Sequence, residues 1–317
     1  MRLSSVQHSL RKFINGPQPE ATPSAHAMPT YAAGRRPWLL LYNCQGIGLA
    51  NCLNMLCDGI EVEFHDPAGF TRNRDAIVAR LPEFDRILVA PQLEKNYGID
   101  FSGFDTVWRI PTITFDAYHP DICYLVNAGK SLKGPLGDYH SLIAYAAFRK
   151  GLDEAQALSL FSGRVYDALG YFDRWDAARA RLLDLFRNHG FEIAAQYANW
   201  SRNGAFMYSF NHVRIHCLRD VALQILARAG LQVQDSGLLP HDNLANGPIY
   251  PIYPEIGSRL GAAGNYRFKL GGKYQCIGLE KFIATSFELY RTTDGADIRP
   301  EYARMFEHTL STIEAMR

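Results

Sequence analysis

Residues 39–56 read LLLYNCQGIGLANCLNML. The first residues are a continuous apolar run. Asn43, Cys44 and Gln45 then interrupt it, and Gly46-x-Gly48 opens a segment in which Ile47, Leu49, Cys52, Leu53 and Leu56 fall near helical spacing. That pattern is a buried strand, a sharp turn and a helix. Two chemistries use such a turn: a glycine loop that cradles a dinucleotide, or an elbow that presents a nucleophile. The dinucleotide fingerprint is incomplete. Asn51 stands where its third glycine belongs, and Asn43 and Cys44 stand near its first. Asp66, after the second strand, does fall where a ribose-binding acid would lie. In the other reading Cys44 sits at a helix N-terminus. The helix dipole lowers its pKa, and first-turn N–H groups can hold an oxyanion. Gly46 and Gly48 leave the turn bare, so that a ligand can approach the backbone.

Working outward, IEVEFH (60–65) alternates like a strand and TRNRDAIVARL (71–81) reads as a helix with Thr71 as N-cap. DRILVAP (85–91) and TVWRIPTITF (106–115) read as further strands. Strand, helix and strand in alternation predict a parallel, right-handed α/β unit. Beyond it, DYHSLIAYAAFRKGL, DEAQALSLFS, YFDRWDAARARLLDLFRNHG, VRIHCLRDVALQILARAG, GLEKFIATSFELYRT and RPEYARMFEHTLSTIEAM are all helical in pattern. Gly151 closes the first of these and Asp153 caps the second. The expected fold is α/β but predominantly helical: a flexible tail over 1–36, an α/β unit over 37–135, and a helical part over 136–317 packed on it as one domain.

The tail is rich in Pro, Ala, Ser and Thr, and lacks the apolar core of a secretory signal. Net charge is +1, so no general pull toward nucleic acid or anionic lipid is expected. No apolar run reaches the roughly 18 residues of a membrane span. The six cysteines are scattered, without Cys-x-x-Cys or zinc-finger spacing. They predict a reduced, cytoplasmic protein in which all but Cys44 are small buried hydrophobes.

A nucleophile needs a base and something to orient it. FDAYHPD supplies Asp116 and His119 after a strand-like stretch, so one turn could aim both at a common point. Asp-x-x-His-Pro resembles the acid–base block of SGNH-type esterases, although there it lies near the chain's end and serves a serine. Gln92 follows ILVAP at another strand end, where its amide could donate to an oxyanion or cap a turn. His212, in FNHVR, is the rival base, with Asn211 to orient it. His212 and His216 have no acid ligand beside them, so no metal is expected.

Asn43-Cys44-Gln45 after a strand, FDAYHPD, FNHVR and YPEIGSRLG, in this order, resemble the WcbI family of capsular polysaccharide biosynthesis enzymes over roughly residues 37–290. The resemblance implies an acetyl-CoA-dependent O-acetyltransferase acting on a capsule sugar or its precursor, alongside other capsule-assembly proteins. It also implies Cys44 and Gln45 as part of the site, with His119 as partner. Coenzyme A carries phosphates, which call for cations and free N–H groups. Lys130, Ser131 and Lys133 lie among glycines; Arg267, Lys269 and Lys273 surround Gly271 and Gly272; Arg202 lies in WSRNG. Two other functions fit the same residues: a cysteine-dependent SGNH-like esterase or thioesterase with water as acceptor, and a non-catalytic module binding CoA or a nucleotide.

Overall fold

The computed structural model describes residues 31–32, 34–293 and 298–316. The tail expected over 1–36 lies outside the described residues as far as residue 30. Residues Ala32–Arg317 form one compact unit.

Four parallel strands, β1 (Arg36–Leu41), β2 (Ile60–His65), β3 (Arg86–Val89) and β4 (Val107–Arg109), make a sheet in the order β2-β1-β3-β4. From Trp38 onward β1 is buried, as a central parallel strand covered on both faces must be. Helix α1 (Gly46–Leu56) follows it. The chain leaves β1 for β2 on one side and reaches β3 on the other. This reversal of strand order opens a crevice at the carboxyl ends of β1 and β3, where open α/β sheets bind ligands. Leu41 is in register with Val89. Cys44 and Gln92 therefore each lie three residues beyond a paired position at that edge.

Between β2 and β3 lie α2 (Pro67–Arg72) and α3 (Arg74–Ala79), and α4 (Glu94–Tyr97) follows β3. Thr71 is not the N-cap expected of it. Asp66 caps α2, accepting from the Gly69 N–H at 2.5 Å, while the Thr71 hydroxyl donates to the Pro67 carbonyl from inside the helix. Pro67 at the first helical position sets the start earlier than the apolar pattern suggests. Asp66 is thus a cap, which removes the ribose-binding acid from the dinucleotide reading.

The stretch PTITF is not a strand either. β4 stops at Arg109, and Pro111 brings no N–H to a ladder. The segment stays extended and finds other partners, described below.

The rest is mainly helical. Short strands β5 (Ile122–Cys123), β6 (Leu125–Asn127), β7 (Lys130–Ser131) and β8 (His140–Ser141) lead into α5 (Leu142–Arg149), α6 (Glu154–Ser159), α7 (Gly163–Ala168), α8 (Arg174–Arg187), α9 (Ala194–Arg202) and α10 (Ile215–Arg228). Then come α11 (Pro254–Leu260), a β9 (Phe268–Lys269) and β10 (Cys276–Ile277) ribbon, α12 (Leu279–Thr292), β11 (Arg299–Pro300) and α13 (Ala303–Ala315). Asp153 caps α6 in a reciprocal box with Gln156, and Gly151 takes a left-handed φ of 68° after α5. One continuous apolar core runs from Trp38 to Ile313. Cys52, Cys57, Cys123 and Cys217 are buried in it, but Cys276, also expected inside, is exposed on the ribbon.

Candidate active site

The turn after β1 is built around Asn43. Its side chain accepts from the Gln45 N–H at 3.0 Å, and its carbonyl accepts from the Gly46 N–H at 2.9 Å. These two amides are therefore already bonded within the turn. Gln45 is fully buried. Its Nε2 donates to the carbonyls of Ile113 and Asn211 at 2.7 and 2.9 Å, and its Oε1 accepts from the Ile113 N–H. Gln45 is thus a brace, tying the Cys44 turn to the segments that carry Thr112, Thr114 and His212.

The glycines also face inward. A Cβ on Gly46 would come 2.0 Å from the Phe64 ring, and one on Gly48 would meet Leu218 at 2.8 Å and Ile215 at 3.0 Å. Their absent side chains let α1 pack closely on β2 and α10. The expectation of a bare turn open to a cofactor is not met.

Cys44 itself is exposed. Tyr42, Tyr124 and Tyr139 lie within electrostatic range of it. Although part of the residue reaches solvent, the protein packed around its thiol desolvates it and pushes it up to about 11, against a smaller downward pull from the N–H groups of Cys44 and Gln45. The amides pull in the direction expected at a helix N-terminus, but desolvation outweighs them, which favours the thiol over the lowered pKa expected from the sequence.

His119 is reached from a different side. It lines a cavity of about 890 Å³ together with Gln92, Thr112, Thr114, Asp116 and Phe210, and with Arg174 and Arg181 from α8. The His119 Nδ1 is buried without a hydrogen-bond partner. Burial pushes the ring down to about 3, with the Tyr250 backbone pulling slightly upward, so the imidazole is neutral at physiological pH. Asp116 does not orient it. The turn binds the His119 N–H to the Asp116 carbonyl, but the carboxylate points to Arg181 at 2.5 Å and Arg174 at 3.1 Å.

Two residues beyond His119 stands Asp121, fully buried, the last residue of FDAYHPD, to which the sequence reading gave no role. Its carboxylate accepts from the hydroxyls of Tyr171, Tyr250 and Tyr253 and from the Ile143 N–H. Burial raises its pKa while these donors oppose the rise. The Tyr250 ring meets His119 edge-on, so this cluster packs against the histidine ring. A sequence clue existed in IYPIYP (249–254), whose tyrosines are three apart.

His212 also carries a buried, unpartnered Nδ1, and burial pushes it down to about 4 against the pull of Asp242. Its ring packs edge-on to Tyr139, one of the tyrosines near Cys44. Asn211 does not orient it. The Asn211 side chain accepts from Tyr139 and donates to Tyr124, fixing those two rings. Phe210 of the cavity wall packs edge-on to both rings. The Cys44 turn and the cavity are joined through these aromatic rings and through Gln45. No hydrogen bond links Cys44 to either histidine among the described residues.

The expected phosphate-binding cations are dispersed. Ser131 and Lys133 both bond Asp138, while Lys130 is exposed on β7. Asp138 lies within electrostatic range of Tyr124 and Tyr139, which brings this hairpin to the Cys44 side. Lys269 is committed to the carbonyls of Asn246, Gly247 and Leu270. Arg202 ends α9, and Lys273 is exposed in the turn of the β9–β10 ribbon. None of these lines the His119 cavity. Among the described residues, no group of three or more His, Cys, Asp or Glu side chains could hold a metal ion.

A solved structure described as WcbI, a novel polysaccharide biosynthesis enzyme, in its native form without a disulfide bond between CoA and one of its cysteines, shares this fold. The TM-score is 0.63 at 14% identity, covering 89% of this chain and 97% of that one. No curated protein is similar enough to match. The family model described as polysaccharide biosynthesis enzyme WcbI matches residues 37–234, more than half of the 317 residues, and spans Cys44, Gln92, His119 and His212. On that match, the chain belongs to the WcbI family of polysaccharide biosynthesis enzymes.

Proposed function

We propose that this protein transfers the acetyl group of acetyl-CoA to a hydroxyl of a sugar in a capsular polysaccharide or its precursor. The observation that carries the reading is His119: neutral, with an unpartnered Nδ1, in the wall of a cavity large enough for a substrate, which Gln92 beyond β3 also lines. The family supports polysaccharide biosynthesis, and the structural neighbour's description pairs CoA with a cysteine.

In this reading His119 accepts the proton of the sugar hydroxyl, whose oxygen attacks the thioester carbonyl. The tetrahedral oxyanion then collapses with cleavage of the C–S bond, His119 gives its proton to the departing sulfur, and the sugar ester and free CoA thiol result. Gln92 is the candidate oxyanion donor, since its amide lines the cavity and the amides of Gln45 and Gly46 are bonded to Asn43. Cys44 rests as a thiol without a hydrogen-bonded base, which favours direct transfer over an acetyl-cysteine intermediate. The reaction would run in the cytoplasm, beside the proteins that assemble the capsule. No described helix is long and apolar enough to cross a membrane.

The test is acetyl-labelled acetyl-CoA with de-O-acetylated capsular polysaccharide as acceptor. Label in the polymer supports the reading. Acetate released to water points to an esterase or thioesterase, and CoA binding without turnover points to a binding module.

A further inference from the structure

The sequence offered lysines for phosphate, but the cavity wall carries arginines. Arg174 and Arg181 are seven residues apart on α8, hence on one face of the helix, and both line the His119 cavity. Asp116 sits between them, giving one oxygen to each. The remaining charged lining residue, Asp184, is paired with Arg187. His119 is neutral. Both guanidiniums share the single Asp116 carboxylate, since Asp184 is turned to Arg187.

The donors are also incompletely used. A guanidinium has five N–H groups, and one from each arginine is bonded to Asp116. The Thr112 and Thr114 hydroxyls and the Asn188 amide line the same space with no hydrogen bond to the described protein. An exposed ion pair contributes little to folding, so stability alone is a weak reason for this arrangement. Paired planar forks, held at a fixed spacing by a shared carboxylate and flanked by hydroxyls, match the geometry of phosphoryl oxygens. The lining also includes apolar side chains, Phe115, Ile122, Leu182 and Met305. The cavity therefore suits a ligand with a phosphoryl end and a less polar body.

We infer that Arg174 and Arg181, positioned by Asp116, bind a phosphoryl group of a substrate of the His119 cavity. For the substrate's identity the inference rests on the acetyltransferase reading. That reading offers two sources: the phosphates of CoA, or the diphosphate of a nucleotide-linked sugar acceptor.

Calorimetric titrations of CoA, pantetheine and UDP into the parent, Arg181→Gln and Arg174→Gln, with Arg181→Lys as companion, test it. Arg181 is largely exposed, so its variants should fold. Each Gln variant should weaken CoA or UDP about tenfold or more, which is the loss of one charge-assisted contact, and leave pantetheine unchanged. Arg181→Lys should recover part of the loss, and the difference from parent should shrink in high salt. Weakening of CoA alone identifies the CoA phosphates; weakening of UDP alone identifies the acceptor; either supports the assignment. If the parent binds CoA or UDP and both Gln variants bind them equally well, the arginine assignment is overturned while the acetyltransferase reading stands. If the parent does not bind CoA, that reading fails, and unchanged UDP binding, or none by the parent, then overturns the arginine assignment as well.

Discussion

The side chain of Gln45 and the backbone of Ile113 bond each other in both directions, Nε2 to the Ile113 carbonyl at 2.7 Å and the Ile113 N–H to Oε1 at 3.1 Å. The amide side chain stands where a neighbouring strand's peptide would be. It thereby fixes the distance between the turn that carries Cys44 and the segment that carries Thr112, Thr114 and, further on, His119.

Gln45→Leu should destabilise the protein by about 2–4 kcal/mol, because it leaves two carbonyls and one N–H buried without partners. Urea denaturation measures this. A loss below about 0.5 kcal/mol would mean that the segment relaxes onto other partners and that Gln45 is no brace.

Gly46→Ala should also act on stability. Its Cβ would collide with the Phe64 ring, so α1 or β2 must shift, at a cost of about 1–3 kcal/mol. A variant as stable as the parent but defective in CoA binding would restore the open glycine loop that the packing argues against.

Stability should depend on acid through the histidines whose pKa burial lowers, His119, His140, His212 and His216, of which His119 and His212 are followed here. The folded pKa of His119 is about 3 and that of His212 about 4, each below the unfolded value near 6.5. Between those limits the unfolded chain binds more protons than the folded one, so stability is full above pH 6.5 and falls as pH drops. Each histidine contributes a slope of about 1.4 kcal/mol per pH unit in that window. His119→Gln should flatten the decline measured by denaturant titration between pH 6 and 4. An unchanged slope would show that His119 is not buried in the neutral form.

Cys44 should react as an ordinary-to-sluggish thiol in the free protein. With the thiol pushed up to about 11, its alkylation rate should climb tenfold per pH unit from pH 7 to 10. A plateau at or below pH 8, followed by mass spectrometry of the modified peptide, would establish a stabilised thiolate and favour the acetyl-cysteine route. Cys44→Ala should leave folding nearly intact in either case.

What the sequence disclosed depended on the range of the interaction. The strand, turn and helix around Cys44 follow from local periodicity, and β1, β2, β3 and α1 lie close to where their apolar patterns put them. PTITF failed as a strand because its partner is a side chain 68 residues away, and side-chain pairing leaves no periodic trace. Asp116 and His119 looked like a pair because they are three apart. The arginines that claim Asp116 come from α8, 58 and 65 residues on, and their spacing reads as an exposed helical face. FDAYHPD displayed Asp121 but not its partners, because the tyrosines that bond it come from distant segments too. Local spacing found both histidines, but the groups that surround them arrive from distant segments.

The most direct measurement is thermal stability with acetyl-CoA, CoA or NAD added at about a hundredfold excess over the dissociation constant. A ligand that binds only the folded state then adds about 2.7 kcal/mol. The account predicts that acetyl-CoA and CoA raise the melting temperature by several degrees and that NAD does not. A shift with NAD and none with either CoA species would contradict it and return the turn at Cys44 to the dinucleotide reading.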